Sequence, residues 1–159
     1  MDISFKVGDE KFNYRVSAVI ISDQKILAIR HNQGTPYYSL PGGRVMLGET
    51  AEQAVVREVQ EELGIPSKIL RPLWFDQAFF TKNMENLRYH ELCVYFLMDV
   101  SNTRLLERGD HFIQKEGQLT HAFEWLECDR LKNENFYPAF LKKEIYHLPN
   151  EFTIRTEST

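Results

Sequence analysis

"GGRVMLGETAEQAVVREVQEELGI" runs from Gly42 to Ile65 and crowds five glutamates, Glu49, Glu52, Glu58, Glu61 and Glu62, into one short segment. Thr50 followed by Gln53 has the spacing of a capping box, and Gly64 followed by Pro66 supplies a stop. The segment therefore predicts a helix from Ala51 to Leu63 with both ends marked. At about 3.6 residues per turn, Val55, Val56, Val59 and Leu63 gather on one side, while Glu58, Glu61 and Glu62 form a separate stripe about 100° wide.

A solvated face is the ordinary reading of such a stripe. Against it, Glu58 and Glu62 are an i,i+4 like-charge pair that costs an isolated helix about 0.2–0.5 kcal/mol, and Glu61 adds to the repulsion. A bound cation removes that penalty. Carboxylate oxygens are hard ligands and no His or Cys joins them in the segment, so the chemistry points to Mg²⁺ or Mn²⁺ and away from zinc. Gly42, Gly43 and Gly48 let the preceding loop bring its backbone close to the ion or to a substrate. The alternating ligands and central glycine of an EF-hand loop are missing.

Outward from the helix, "YRVSAVIIS" (Tyr14 to Ser22) and "KILAIRH" (Lys25 to His31) read as a hairpin across Ser22-Asp23-Gln24. "YYSLPGG" reads as a short strand running into a glycine corner. Lys68 to Phe80 and Arg88 to Val100 read as strands around a polar turn at Lys82–Asn86. Ser101 to Leu119 reads as a polar loop, "HAFEWLE" as a further strand, and Tyr137 to Leu148 as a closing helix with Pro138 in its first turn. The pattern predicts one α+β domain over residues 1–159, a mixed sheet with helices packed on it.

The chain of 159 residues has a net charge of −4, which argues against a broad nucleic-acid-binding surface. No apolar run approaches the ~20 residues needed to cross a bilayer, and the amino terminus has no signal-peptide core, so a cytoplasmic location is expected. Cys93 and Cys128, outside any CxxC pair, read as buried reduced thiols.

The segment resembles the Nudix box, G-x5-E-x7-R-E-U-x-E-E-x-G-U with U a bulky aliphatic residue, at Gly43, Glu49, Arg57, Glu58, Val59, Glu61, Glu62, Gly64 and Ile65. The resemblance implies the family's α/β/α sandwich and a Mg²⁺-dependent hydrolysis (Mn²⁺ substituting) of a nucleoside diphosphate linked to another group. It carries Glu58, Glu61 and Glu62 over as metal ligands with Gly43 beside them, and Glu58, Glu61 and Arg57 as catalytic machinery, Arg57 holding the glutamates in position. Glu49 is a water-mediated ligand or a charge favouring the helix's positive end. The general base is a box glutamate or a later acid, Glu116 or Glu124 with His121 nearby, and Glu124 is the first choice among the later ones.

Substrate marks outside the box are weaker. Tyr37, Tyr38, Phe79 and Phe80 offer π-faces for a base, with Tyr38 and Phe80 taken as the substrate-binding pair. Arg30, Arg44, Lys82 and Arg88 offer positive charge for phosphate, and Arg44 is favoured by its place beside Gly43. The expected partner is a small nucleotide, with no membrane, and a homodimer stays open. The alternatives are a capped-RNA pyrophosphohydrolase and a non-catalytic nucleotide sensor of the same fold.

Overall fold

Alternation along the strands divides the apolar side chains into two cores. In the computed structural model, which describes residues 1–159, Val16 and Ala18 turn toward one core while Val19 turns toward the other. Leu27 and Ile29 alternate likewise with Ile26 and Ala28, as do Val94 and Phe96 with Cys93 and Tyr95. Strands buried on both faces are the expected middle layer of a three-layer domain.

The elements in order are β1 (Ser4–Val7), β2 (Glu10–Val19), β3 (Ile21–Ser22), β4 (Lys25–His31), β5 (Tyr37–Ser39), β6 (Gly42–Arg44), α1 (Ala51–Leu63), β7 (Lys68–Lys82), β8 (Leu87–Asp99), β9 (His111–Glu116), β10 (Leu119–Glu127), α2 (Leu141–Glu144) and β11 (Thr153–Ser158). A six-stranded mixed sheet runs β1-β2-β8-β7-β11, with β2 parallel to β8 and β7 parallel to β11. β6 pairs with β2 at Arg15–Ser17, beyond the residues that β1 occupies. The second, five-stranded sheet runs β3-β4-β10-β9, with β5 on β4. Helix α1 closes the first core through Ala54, Val55, Val59 and Leu63. Leu141 and Ile145, with Leu131 from the 3-10 turn Cys128–Asn133, close the second. The layered α+β sandwich with a mixed sheet is therefore present.

The helix has the bounds read from the sequence. Thr50 and Gln53 form both halves of the capping box, and Gly64 closes the helix at φ 69°, a left-handed conformation that glycine adopts without steric cost.

Four expectations change. The stretch Tyr14 to Ser22 is not one arm of a hairpin: the chain leaves the six-stranded sheet at Ile20, and only Ile21–Ser22 pairs with β4. The loop from Ser101 to Leu119 contains β9, whose alternate side chains are half-buried. The closing helix shrinks to Leu141–Glu144, because the chain before it is tied as an extended bridge from Phe136 to Tyr38, and Pro138 lies outside the helix. Finally, β1 and β11 add two edge strands from segments that show no strong β pattern.

Candidate active site

Glu62 is one of three buried polar residues in the chain, 6% exposed, and its carboxylate accepts a hydrogen bond of 2.8 Å from the Gly42 amide. That bond ties the last turn of α1 to the glycine corner entering β6. Gly43 stands one residue on with the Glu58 carboxyl group against its Cα, so that any side chain at this position would strike Glu58. The two glycines thus let a backbone strand approach the acidic face of the helix closely.

Arg57 organises the remaining acids. Its Nε and Nη2 donate to the two oxygens of Glu49 at 2.6 and 2.9 Å, a bidentate arrangement. Its Nη1 donates to Glu58 at 2.9 Å and to Glu61 at 3.2 Å, and its Nη2 also reaches the Arg44 carbonyl at 3.0 Å. Glu49 in turn accepts from the Met46 amide at 3.0 Å, so it is a clamp on the loop. The Arg57 hydrogen bonds hold the Glu49 carboxyl below the usual carboxylate range. Arg57 thus binds Glu49, Glu58 and Glu61 at once.

The hairpin β9–β10 brings the chemistry that completes the cluster. Donor atoms of Glu62, Glu116 and His121 all lie within 4.8 Å of one another, and His121 Nε2 is 2.9 Å from Glu116 Oε1. Burial pushes the Glu62 carboxyl up to about 8; the charges of Glu58 and Glu116 push in the same direction, while the Gly42 amide and Arg15 oppose them. Burial likewise raises Glu58, against the pull of Arg57, with Glu61 and Glu116 adding repulsion. Carboxyl groups forced together out of water, with the one imidazole, His121, bonded to Glu116, offer an oxygen donor set that once ionised fits a hard divalent cation.

The acids brought together differ from the expected ligand set. Glu62 converges with Glu116 and His121, and Glu58 lies beside them over Gly43. Glu61 stays 43% exposed in its side chain and is turned to Arg57.

Glu124 is not brought to this cluster. His121, Phe123 and Trp125 share the face of β10 toward α1, and the period of two places Glu124 on the opposite face with Leu126. There it accepts from the Tyr38 hydroxyl at 2.9 Å, and Tyr38 accepts from Arg30 at 2.8 Å. Tyr38 itself is 6% exposed with its ring in the second core, so its π-face is closed to a base. Phe80 stacks on Tyr89, whose partner on β2 is Lys11. Lys11 lies four residues up β2 from Arg15, a rise of roughly 13 Å from the box. Phe123 stands edge-on to His121 of the cluster at 6.1 Å, and His31, beside His121, stacks on Tyr37 with centroids 4.5 Å apart, with Tyr137 edge-on to Tyr37 at 5.8 Å. His31 is held below the usual imidazole range by burial and then by the charge of His121 across β4 and β10. Tyr37 was among the readable aromatic candidates, whereas His31 and Tyr137 carried no local signal.

An α+β sandwich with a capped acidic helix clamped to a glycine corner defines the Nudix class. The family model described as "NUDIX domain" matches residues 11–147, and the chain belongs to that family. Among its relatives, an ADP-ribose pyrophosphatase of Methanocaldococcus jannaschii is 36% identical over 98 residues, 60% of this chain and 54% of that protein. An NAD-capped RNA hydrolase, NudC, of Salmonella paratyphi C is 37% identical over 86 residues, 50% of this chain and 33% of the other. The chain thus spans about half, or less, of the length of these relatives. A crystal structure of a mutator MutT protein from Bacillus halodurans matches with a TM-score of 0.59 at 16% identity, over 90% of this chain and 89% of that one, and supports the fold alone. No helix is long and apolar enough to cross a membrane.

Proposed function

We propose that this domain hydrolyses the pyrophosphate bond of a small nucleoside diphosphate derivative with Mg²⁺, or Mn²⁺ in its place. The observation that carries the reading is the convergence of buried Glu62 with Glu116 and His121, beside a Glu58 that Arg57 and Gly43 hold in place. Glu58, Glu62 and Glu116 would hold the ion, which when bound neutralises phosphate oxygens and lowers the pKa of water. Glu61 serves through Arg57.

The protein's own groups do the rest. The His121 Nε2–H donates to Glu116 Oε1 and fixes that carboxylate, leaving its second oxygen to take a proton from the attacking water. The water oxygen bonds to phosphorus as the bond from phosphorus to the bridging oxygen breaks, and that oxygen leaves with the second phosphate. Buried Glu62 keeps the cluster rigid through the Gly42 amide. The ring group of Tyr37, His31 and Tyr137 lies on the same side of the five-stranded sheet and supplies a stacking surface for the nucleoside end.

A small substrate is favoured over capped RNA because the net charge is −4. The similarity to an ADP-ribose pyrophosphatase supports the same choice. The test is release of phosphate-bearing products from ADP-ribose, dinucleotides, oxidised nucleoside triphosphates and NAD-capped RNA, each with and without Mg²⁺. Mg²⁺-dependent cleavage of a small compound is expected. Tight binding without cleavage of any of them would replace the hydrolase reading with a nucleotide sensor, and preferential cleavage of the RNA would reverse the size argument.

A further inference from the structure

The last turn of α1 carries Glu61 and Glu62 and no basic residue, so carboxylates crowd the end of the helix where the backbone dipole is already negative. The final carbonyls of a helix also lack partners within it. The cation that meets both needs comes from another part of the chain. Arg108, half-buried at the end of the 3-10 turn Leu105–Arg108, donates from Nη1 to the Leu63 carbonyl at 2.8 Å.

The same nitrogen donates to Gln114 Oε1 at 3.0 Å. Gln114 lies on the half-buried side of β9 with Phe112 and Glu116, and it is the direct partner of His121 across β9 and β10. Leu63 is the residue after Glu62. One guanidinium nitrogen thus joins the helix end that carries Glu62 to the strand that carries Glu116. Arg108 is itself held in place: Leu105 is fully buried in the first core, and the guanidinium lies 5.6 Å from the centroid of the Phe112 ring, which stacks on Phe123.

No other side-chain hydrogen bond links α1 or its closing residues to β9. The two acids themselves bond elsewhere, Glu62 to the Gly42 amide of β6 and Glu116 to His121 of β10. Neither acid therefore holds the other, and once both are ionised their like charges push helix and strand apart. The bridge through Arg108 opposes that separation.

We propose that Arg108 is a positioning residue for the acidic cluster: through Leu63 and Gln114 it fixes the spacing of Glu62 against Glu116 and His121, and so sets the affinity of the cluster for a divalent cation. This rests on the pyrophosphohydrolase reading and adds to it the group that holds the two halves of the donor set together.

The probe is Mn²⁺ alone, titrated into the full chain and followed by electron paramagnetic resonance of the free ion. The parent, Arg108→Gln, Arg108→Lys and Gln114→Leu are compared, with melting temperatures measured metal-free. Arg108→Gln should raise the Kd for Mn²⁺ about tenfold or more, as loss of a group that orients ligands does. Arg108→Lys should recover most of the affinity, because an ammonium group can donate to both oxygens. Gln114→Leu leaves the bond to Leu63 in place, so it should weaken Mn²⁺ binding with little change in melting temperature. The double variant Arg108→Gln/Gln114→Leu should bind no more weakly than Arg108→Gln, since both changes cut one bridge. A guanidinium that only caps the helix would lower the melting temperature of Arg108→Gln and leave the Mn²⁺ affinity of every variant at the parent's value, which overturns the proposal. Should Arg108→Gln fail to fold, undiminished affinity in Gln114→Leu overturns it alone. Turnover separates it from the hydrolase reading. A parent that binds Mn²⁺ through this bridge but cleaves no nucleotide removes the enzyme and leaves the role of Arg108, whereas a parent that cleaves while the variants bind Mn²⁺ as tightly removes Arg108 alone.

Discussion

Arg57 Nε lies 2.6 Å from one oxygen of Glu49, and Arg57 Nη2 lies 2.9 Å from the other, so a single guanidinium grips the acid that precedes its own helix. Lysine cannot reproduce that fork together with the bonds to Glu58, Glu61 and the Arg44 carbonyl. Arg57→Lys should therefore lower both melting temperature and turnover, and Arg57→Ala should lower them further. A loss on the order of 2 kcal/mol is expected for the alanine variant, because three carboxylates lose their common partner in a half-buried site. Denaturant unfolding without metal measures the first effect and Mg²⁺-dependent turnover the second; equal values for parent and lysine variant would mean the fork is unnecessary.

Gly43→Ala tests the close approach of strand and helix. The added methyl group meets the end of the flexible Glu58 side chain, which can swing away at little cost to the fold. The melting temperature should fall only slightly, while turnover drops on the order of 10²-fold or more as a charge-stabilising group leaves its place. A severe loss of stability with normal specific activity would contradict this placement of Glu58.

The helix was legible to the residue because its signals are local: the Thr50 and Gln53 cap, the apolar spacing and the Gly64 stop all act within one segment. The partners of that helix were not. His121 and Glu116 meet Glu62 only because β9 pairs with β10, and β9 was read as loop since its alternation, exposed against half-buried, is too shallow to mark a strand. Glu124 attracted the role of base by residue type and proximity in sequence, but three residues after His121 a strand presents the other face. Tyr38 and Phe80 were chosen for their rings, and burial of one and the distance of the other depend on pairings between strands far apart in sequence. Arg108 sits in the stretch read as loop, which gives no hint of the helix end that it reaches.

Glu116→Gln and Glu124→Gln form a matched pair. Glu116 lies within the donor cluster and takes the hydrogen bond of His121, so its amide variant should lose turnover on the order of 10²-fold and show a smaller rise in melting temperature with Mg²⁺. Glu124 belongs to the chain Arg30–Tyr38–Glu124 on the opposite face, so its amide variant should keep the full Mg²⁺ response. Loss of the Mg²⁺ response in Glu124→Gln with retention in Glu116→Gln would exchange the two roles.

Glu62 links stability, pH and metal. Its folded-state pKa of about 8 stands above the ordinary carboxyl value of 4.5, chiefly because burial disfavours the charged form. Between those values the folded protein binds a proton that the unfolded chain releases, so stability falls as pH rises. The contribution is fully present below about 4.5 and lost as pH passes through about 8. The metal-free parent should accordingly lose melting temperature from pH 6 to 8.5 relative to Glu62→Gln, whose amide has no proton to surrender. Mg²⁺ binds the ionised carboxylate and competes with that proton, so its stabilising effect on the parent should grow over the same interval. Glu62→Gln should remain folded, with metal-free stability close to the parent's at pH 6, where the buried carboxyl is protonated, and above the parent's at pH 8.5, where its charge is left buried. It should nevertheless be nearly inactive, because one ligating oxygen and its charge are gone. Melting curves at four pH values, with and without Mg²⁺, decide the matter: parallel pH profiles for parent and Glu62→Gln would show that this carboxyl does not titrate in the window and that the acidic face is held ionised without a cation.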